Sequence, residues 1–463
     1  MGTELLAPLD LAFWHLETDA HPMHLGALAV FDPPPGGRLA VDPEGVQELL
    51  GARAEAIPRL RMRIRDVLLP VGGAAWFVDK DFDVRRHVER ACPAGPGTGG
   101  GDDGFMAGAT RLAGELMERP LERGRPPWRM YVIGGEDGGP FAVLVKLHHA
   151  LADGMRAIAI GAGIFDEIAP LAGRARGGAS SARSRPVPPR SWMPGPRQVA
   201  GLALDRIEDL GRAFGVGASL VRASRLDPRG APALVARSSG TRRLATADLD
   251  LAAIQRIRRA AGGTANDVLL AVVAGALRRW MLERGETLPA DDPRALVPVS
   301  RRRPGQPAAT GNKLSAYLLG LPVREPDPWQ RLRRVRADMD RNKAAGPLRG
   351  AGAVAVLADQ LPSLAHRFGA PIAGGAARML FDVLVTSVPL PRSALSLGGC
   401  PLRAVYPMAP LARGQALAVA LSPYGGRVHV GLVADGKALP DLDRLAGCAD
   451  DEVGELLGLL RVP

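Results

Sequence analysis

The chain has 463 residues, 46% hydrophobic, 4% aromatic and 23% charged, with a formal net charge of +11. That length suits two to three globular domains. The longest apolar run, Val268 to Leu277, stops at Arg278-Arg279, short of the roughly 18 residues that span a bilayer. Cys92, Cys400 and Cys448 stand far apart, which excludes a disulfide framework or a CxxC metal pair and fits a reducing cytoplasm. Met1-Gly2-Thr3-Glu4-Leu5 lacks a basic region leading into an apolar stretch, so no signal peptide is expected. The surplus of arginine suits nucleic acid, anionic lipid or a phosphorylated substrate, and charge alone does not rank them.

In chain order, Leu25 to Phe31 reads as a strand. Pro43 to Ala56 reads as a helix, with Asp42 placed to cap it, Pro43 at its first position and Glu44 in its first turn. Pro93 to Gly104 is a Gly-rich loop with no Lys-Ser or Lys-Thr after it, so it is not a phosphate loop. Phe105 to Met117 is amphipathic and helical. The apolar run Phe141 to Val145 reads as a strand and Met155 to Ile168 as a helix. Gly173 to Pro196, rich in Arg, Ser, Pro and Gly, has the composition of a tether. Beyond it, Leu249 to Ala261 and Asn266 to Leu282 read as helices. Strands are expected at Ala295 to Val299, Ser315 to Leu321, Asp382 to Ser387, Ala416 to Ser422 and Arg427 to Val433. Arg331 to Lys343 is a charged helix, and Asp441 to Leu460 closes the chain as one or two helices. No repeat, dinucleotide fingerprint or metal-ligand cluster is visible. Two α/β halves, 1–172 and 237–463, joined over 173–236 by a basic linker and crossover helix, fit a pseudo-twofold pair of domains.

The densest chemistry is His148-His149-Ala150-Leu151-Ala152-Asp153-Gly154, set between the apolar strand and the helix after it. Neutral imidazole takes a proton well near neutral pH. On an extended backbone, adjacent side chains point to opposite faces, so one histidine faces a cleft while the other packs. Asp153 stands where an N-cap belongs, and Gly154 leaves the turn without a Cβ. The plainer reading is a buried histidine pair with Asp153 as a simple cap.

His-His-x-x-x-Asp-Gly resembles the signature of the coenzyme-A-dependent acyltransferase superfamily. Further segments resemble one branch, the bacterial wax ester synthase/diacylglycerol acyltransferases. These are Pro8-Leu9-Asp10, Pro22-Met23-His24-Leu25-Gly26, Trp76, Phe82-Asp83, His87-Val88, Arg119-Pro120-Leu121 and Arg125-Pro126-Pro127-Trp128, with Pro127 where leucine is usual. Asn266-Asp267-Val268, Val297-Pro298-Val299-Ser300, Gly311-Asn312 and Ala434-Asp435-Gly436 extend the likeness over essentially the whole chain. Two segments depart from the family pattern, Thr386-Ser387-Val388-Pro389-Leu390-Pro391 and Ser422-Pro423-Tyr424-Gly425-Gly426. They bear on substrate preference and fine geometry more than on reaction type.

The resemblance implies an α/β fold of two chloramphenicol-acetyltransferase-like mixed-sheet domains with a central tunnel between them. It implies transfer of a fatty acyl group from acyl-CoA to a long-chain alcohol or diacylglycerol. His149 is then the general base and His148 packs and orients. Asp153 caps or pairs with an arginine, and Gly154 and Asp267 complete the structural motifs. Asn266 is a candidate oxyanion donor, set against a plain capping role for Asn266-Asp267. Pro8, Leu9, Asp10, Pro126, Pro127 and Trp128 are assigned to substrate binding. Acyl-CoA is a substrate, so no cofactor and no metal are expected. Partners are acyl-CoA, the lipid acceptor and, peripherally, an anionic membrane or lipid droplet on the cytoplasmic side; no nucleic-acid motif accompanies the charge. The rivals are an amide-forming condensation domain and a non-catalytic lipid-droplet coat protein of the same fold.

Overall fold

The computed structural model describes residues 4–34, 42–93, 102–135, 138–167, 231–300, 314–345, 367, 379–391 and 393–460. Its first part runs β1 (Glu4–Leu5), α1 (Pro8–Leu16), β2 (His24–Phe31), α2 (Pro43–Ala56), β3 (Met62–Asp66), β4 (Ala74–Val78), β5 (Val88–Ala91), α3 (Asp102–Glu118), β6 (Trp128–Gly134), β7 (Phe141–His148), α4 (Gly154–Ile164) and β8 (Asp166–Glu167). The second runs β9 (Arg242–Asp250), α5 (Leu251–Ala261), α6 (Ala265–Glu283), β10 (Arg294–Ser300), β11 (Leu314–Gly320), α7 (Pro328–Ala345), β12 (Val383–Ser387), β13 (Leu395–Leu397), β14 (Cys400–Met408), β15 (Leu417–Tyr424), β16 (Arg427–Asp435) and α8 (Leu442–Leu459).

These strands form a seven-stranded sheet in the order β5-β6-β7-β2-β14-β13-β8, a six-stranded sheet β11-β10-β12-β15-β16-β9 and a small sheet β1-β4-β3. Both larger sheets mix parallel and antiparallel pairs. In the first, β2 and β7 pair antiparallel along their whole length, His24 opposite His148. Their sequences are apolar except for His24, Lys146 and His148, because both faces are covered. Phe141, Val143 and Leu147 join Trp128 and Leu50 in one core, while Ala142 and Leu144 turn to the other face. That other face meets the second sheet, so Leu28, Val30 and Leu144 share a core with Leu244, Ala420 and Val433. The second half has its own core around α6, whose Val268, Leu270, Leu277 and Trp280 are buried on all sides.

The expected division at 236/237 is not a clean cut. β13 and β14 belong by sequence to the second half but lie in the first sheet, between β2 and β8. The exchange brings β14 hard against β16: a Cβ built on Gly431 would lie 1.9 Å from the Pro407 carbonyl oxygen. Only a residue without a side chain allows two backbones that close.

Asp42 caps α2 as expected, its carboxylate accepting from the Gly45 N–H at 2.8 Å. The helix read from Leu249 begins two residues later. Leu249 and Asp250 end β9, where they pair with Val428 and Arg427, and the Asp250 carboxylate caps α5 through Ala252 N–H at 2.8 Å. The stretch expected from Asp441 to Leu460 as one or two helices is one, α8, over Leu442–Leu459. Of the linker and crossover helix expected over 173–236, residues 173–230 lie outside the described residues, as does most of the Gly-rich loop, and Pro232–Leu234 is a single 3-10 turn. No single helix among the described residues is long and apolar enough to cross a membrane.

Candidate active site

β7 delivers His148 as its last residue and His149 follows it. The backbone of the pair is held by the segments that lead into β6 and β2 on either side. His148 N–H donates to the Pro127 carbonyl at 3.0 Å and His149 N–H to the Met23 carbonyl at 2.8 Å. Leu151 N–H then closes a turn onto the His148 carbonyl at 2.8 Å, and Ala150, Leu151 and Ala152 bury themselves in the core. Asp153 is buried and caps α4, accepting from the Arg156 N–H at 2.7 Å. The turn therefore has a fixed entry, a fixed exit and an apolar anchor.

The two rings diverge, and consecutive residues of α1 meet them. Phe13 stacks on His149 with centroids 3.7 Å apart and planes 18° apart. Trp14 meets His148 edge-on at 5.4 Å. His148 is fully buried, and its Nδ1 accepts the Ala150 N–H at 3.0 Å, so the ring proton sits on Nε2. That Nε2 faces the Glu17 carboxylate at 3.4 Å, and His24 Nε2 approaches the same carboxylate at 3.2 Å. The Glu17 side chain is 6% exposed, with Met23 N–H at 3.3 Å and the Arg123 guanidinium at 3.7 Å. Burial alone would raise its pKa; attraction to His148 and His24 outweighs it and holds the carboxyl well below the ordinary range.

Burial pushes His24 down to about 4, against the pull of Glu17. Burial also pushes the half-buried His149 down to about 4, opposed by its own backbone. Its Nδ1 is buried. At neutral pH this is an uncharged ring with a lone pair to offer. Lys146, two residues before His148, is buried beneath the pair. Its ammonium donates to the Leu116 carbonyl at 2.7 Å and to the Arg119 carbonyl, tying β7 to the C-terminal end of α3, and burial lowers its pKa to about 7.

Several residues expected at the site have other places. Trp128 is wholly buried, donating its indole N–H to the Leu60 carbonyl at 2.7 Å and stacking on His87 at 4.7 Å, so it cannot line an open surface. Pro126 accepts the Trp128 N–H, and Pro127 accepts the His148 N–H; both hold the strand end. Pro8 opens α1, with Leu9 and Asp10 buried behind it, so this segment positions the helix that meets the histidines. Asn266 is half-buried in the first turn of α6, and none of the described contacts joins it to the histidine pair. The cap there is Thr264 with Asp267: Thr264 N–H donates to the Asp267 carboxylate at 2.7 Å, and Asp267 N–H to the Thr264 hydroxyl at 3.2 Å. Gly154 is not required by a left-handed turn. A Cβ there would touch Val388 at 3.5 Å, an ordinary contact with the segment that departs from the family pattern. Phe13, Glu17 and Lys146 were not singled out from sequence, because no local pattern marks them.

Residues 6–269 match the family model of the wax ester synthase/diacylglycerol acyltransferase catalytic domain, and residues 310–457 match the C-terminal domain of the same family. The chain belongs to the wax ester synthase/diacylglycerol acyltransferase family. It is 32% identical over 464 residues to a Mycobacterium tuberculosis protein named probable diacylglycerol O-acyltransferase tgs1, covering 98% of this chain and 96% of that one. Its fold is similar to that of a wax ester synthase/diacylglycerol acyltransferase from Marinobacter aquaeolei VT8, with a TM-score of 0.68, 24% identity and 98% of each chain covered. It is also similar to a trichothecene 15-O-acetyltransferase from Fusarium sporotrichioides, with a TM-score of 0.61, 10% identity and 98% and 94% covered. In this member of the family the catalytic-domain match ends inside α6, so the first model takes in β9 and α5 together with the whole seven-stranded sheet apart from β13 and β14.

Proposed function

We propose that the protein moves a fatty acyl group from acyl-CoA to the hydroxyl of a diacylglycerol or a long-chain alcohol, with His149 as general base. The observation that carries this reading is the setting of His149: uncharged, stacked on Phe13, and held by its backbone N–H on the Met23 carbonyl within the complete His-His-x-x-x-Asp-Gly turn. As the acceptor oxygen attacks the thioester carbonyl, its proton passes to His149 Nε2. The tetrahedral oxyanion collapses, the C–S bond breaks, and the departing thiolate takes the proton from the imidazolium. The depressed pKa suits this cycle, because the ring is ready to accept and does not keep the proton. Asn266 lacks a described contact with the pair, and the reading does not depend on it. The names of the mycobacterial relatives favour diacylglycerol, while the Marinobacter name keeps the alcohol open. Amide formation and a non-catalytic coat role both fit less well with a family match over both halves and an intact motif.

The test offers labelled palmitoyl-CoA to the purified chain with hexadecanol and diacylglycerol together. Labelled triacylglycerol or wax ester is expected, and His149→Ala should lose roughly 10²- to 10⁴-fold in rate with its circular dichroism intact. Near-full turnover in a folded His149→Ala protein would remove the base assignment.

A further inference from the structure

The hairpin of β3 and β4 ends in Val67-Leu68-Leu69-Pro70-Val71-Gly72-Gly73. Leu68 is 93% exposed, Leu69 75% and Val71 56%. Single exposed leucines are ordinary, but a cluster at one projecting tip is a patch that marks an interaction site. Leu5 on β1 and Val78 on β4, each about half exposed, carry apolar surface down the stem. The loop is built rather than loose. Val67 N–H donates to the Gly73 carbonyl at 3.0 Å and Gly73 N–H to the Pro70 carbonyl at 2.8 Å, which turns the leucines outward.

Charge and attachment say what such a tip would meet. Arg65 stands exposed on the stem, and the carboxylate nearest the tip, the exposed Asp66, accepts the Trp14 indole N–H at 3.2 Å. Arg65 lies three to four residues behind the leucines, about 10 Å at the rise of a strand, which matches the roughly 5–10 Å depth of interfacial insertion. The hairpin is also tied to the candidate active site. Besides the Trp14 bond, His15 Nε2 donates to the Gly72 carbonyl at 2.9 Å. Both residues lie on α1, beside the Phe13 that stacks on His149.

We infer that the β3–β4 tip docks the protein on a phospholipid surface, with Leu68, Leu69, Pro70 and Val71 among the acyl chains and Arg65 at the headgroups. This rests on the reading above, in which the acceptor is a water-insoluble lipid that must be drawn from such a surface. Docking by the tip places α1, and the histidine pair it holds, next to that supply.

The experiment uses the full chain and vesicles of phosphatidylcholine with and without phosphatidylglycerol. Flotation of wild type is compared with Leu68→Asp/Leu69→Asp, two changes at solvent-exposed positions. Each leucine moved into hydrocarbon is worth about tenfold or more in partitioning, so the double variant should bind at least tenfold more weakly. High salt should weaken wild-type binding without abolishing it. In a Leu69→Trp variant the added tryptophan's emission should shift blue on vesicles and be quenched by brominated acyl chains. Transfer to vesicle-borne diacylglycerol should fall in the double variant, while transfer to a short soluble alcohol stays at the wild-type rate. Wild-type vesicle binding by the double variant, absence of binding by wild type, or no response of the tryptophan at position 69 each overturns the inference. So does a wild-type dimer that the double variant breaks without loss of vesicle binding, which would assign the tip to a second copy. If vesicle binding depends on the tip but no acyl transfer is found, the proposed reaction fails and the docking surface stands.

Discussion

Phe13 lies flat on His149, its ring 3.7 Å away, and thereby ties the chemistry of the motif to a helix more than a hundred residues earlier in the chain. The stack shields one face of the imidazole from water, and burial is the main reason its pKa falls to about 4. The pairing of Phe13 and Trp14 with His149 and His148 also means that a shift of α1 reorients both rings together.

Phe13→Ala should therefore change the pH dependence of catalysis as well as its rate. A base works when unprotonated, so the acid limb of the wild-type profile should lie near the depressed pKa. Water admitted beside His149 moves that pKa up toward the ordinary 6.5, and the acid limb should rise with it, with kcat falling about tenfold at neutral pH. Phe13→Leu keeps the apolar cover and should shift the limb less. Profiles of kcat/KM against pH for the three proteins decide the matter, and an unmoved limb in Phe13→Ala would sink the shielding argument.

Asp153→Ala should harm stability more than chemistry. The carboxylate is 2% exposed and accepts the Arg156 N–H at 2.7 Å, and loss of a helix cap costs about 0.5–2 kcal/mol. A lower melting temperature with nearly unchanged turnover per folded molecule is the expected result. Full stability with lost turnover would instead assign Asp153 a direct part in the reaction.

Two glycines should behave in opposite ways. Gly431→Ala sets a methyl group 1.9 Å from the Pro407 carbonyl oxygen, on a backbone that cannot step aside without parting β14 from β16, and overpacking of this kind costs roughly 1–3 kcal/mol or more. Gly154→Ala meets Val388 at 3.5 Å and should fold with little change in denaturation midpoint, although it is the motif residue. Equal midpoints for the two variants would contradict the strand crossing.

The parts of this architecture legible in the sequence are those set by local chemistry. Asp42 followed by Pro43 announces α2, and the apolar run into His148 announces β7 and the turn after it. What resisted reading depends on partners distant in sequence. β14 contains Pro401, Arg403 and Pro407, which argue against a strand, yet it is built into the first sheet beside β2. Leu249-Asp250 looked like the start of a helix because the pairing with β16 that makes them strand is not a local signal. Trp128 reads as a site residue next to two prolines, and only the packing of His87 and Leu60 around it makes it core. Glu17 is a single acidic residue in an ordinary stretch until His24 and His148, side by side in the β2–β7 register, converge on it.

That convergence gives the last prediction. His24 is almost wholly buried and its pKa falls to about 4, so an unfolded chain takes up a proton near 6.5 while the folded one resists until about 4. The stabilising contribution is thus fully present above about 6.5 and is lost as pH falls through that window, an effect on the order of 3 kcal/mol for one such group. Glu17 acts in the same direction but lower: its depressed pKa contributes stability above the ordinary carboxylate value of 4.5 and loses it only under stronger acid. Denaturant unfolding at about pH 7 and about pH 5 should show a clear loss for wild type and a flatter response for His24→Gln. Glu17→Gln removes the charge that both imidazoles face, so His148 loses its orienting partner while His149 keeps its own bonds. Turnover should drop between about tenfold and a hundredfold with KM for acyl-CoA little changed, and Glu17→Asp should recover part of it. A Glu17→Gln enzyme with wild-type kcat would show that His148 is oriented well enough by the Pro127 and Ala150 bonds alone.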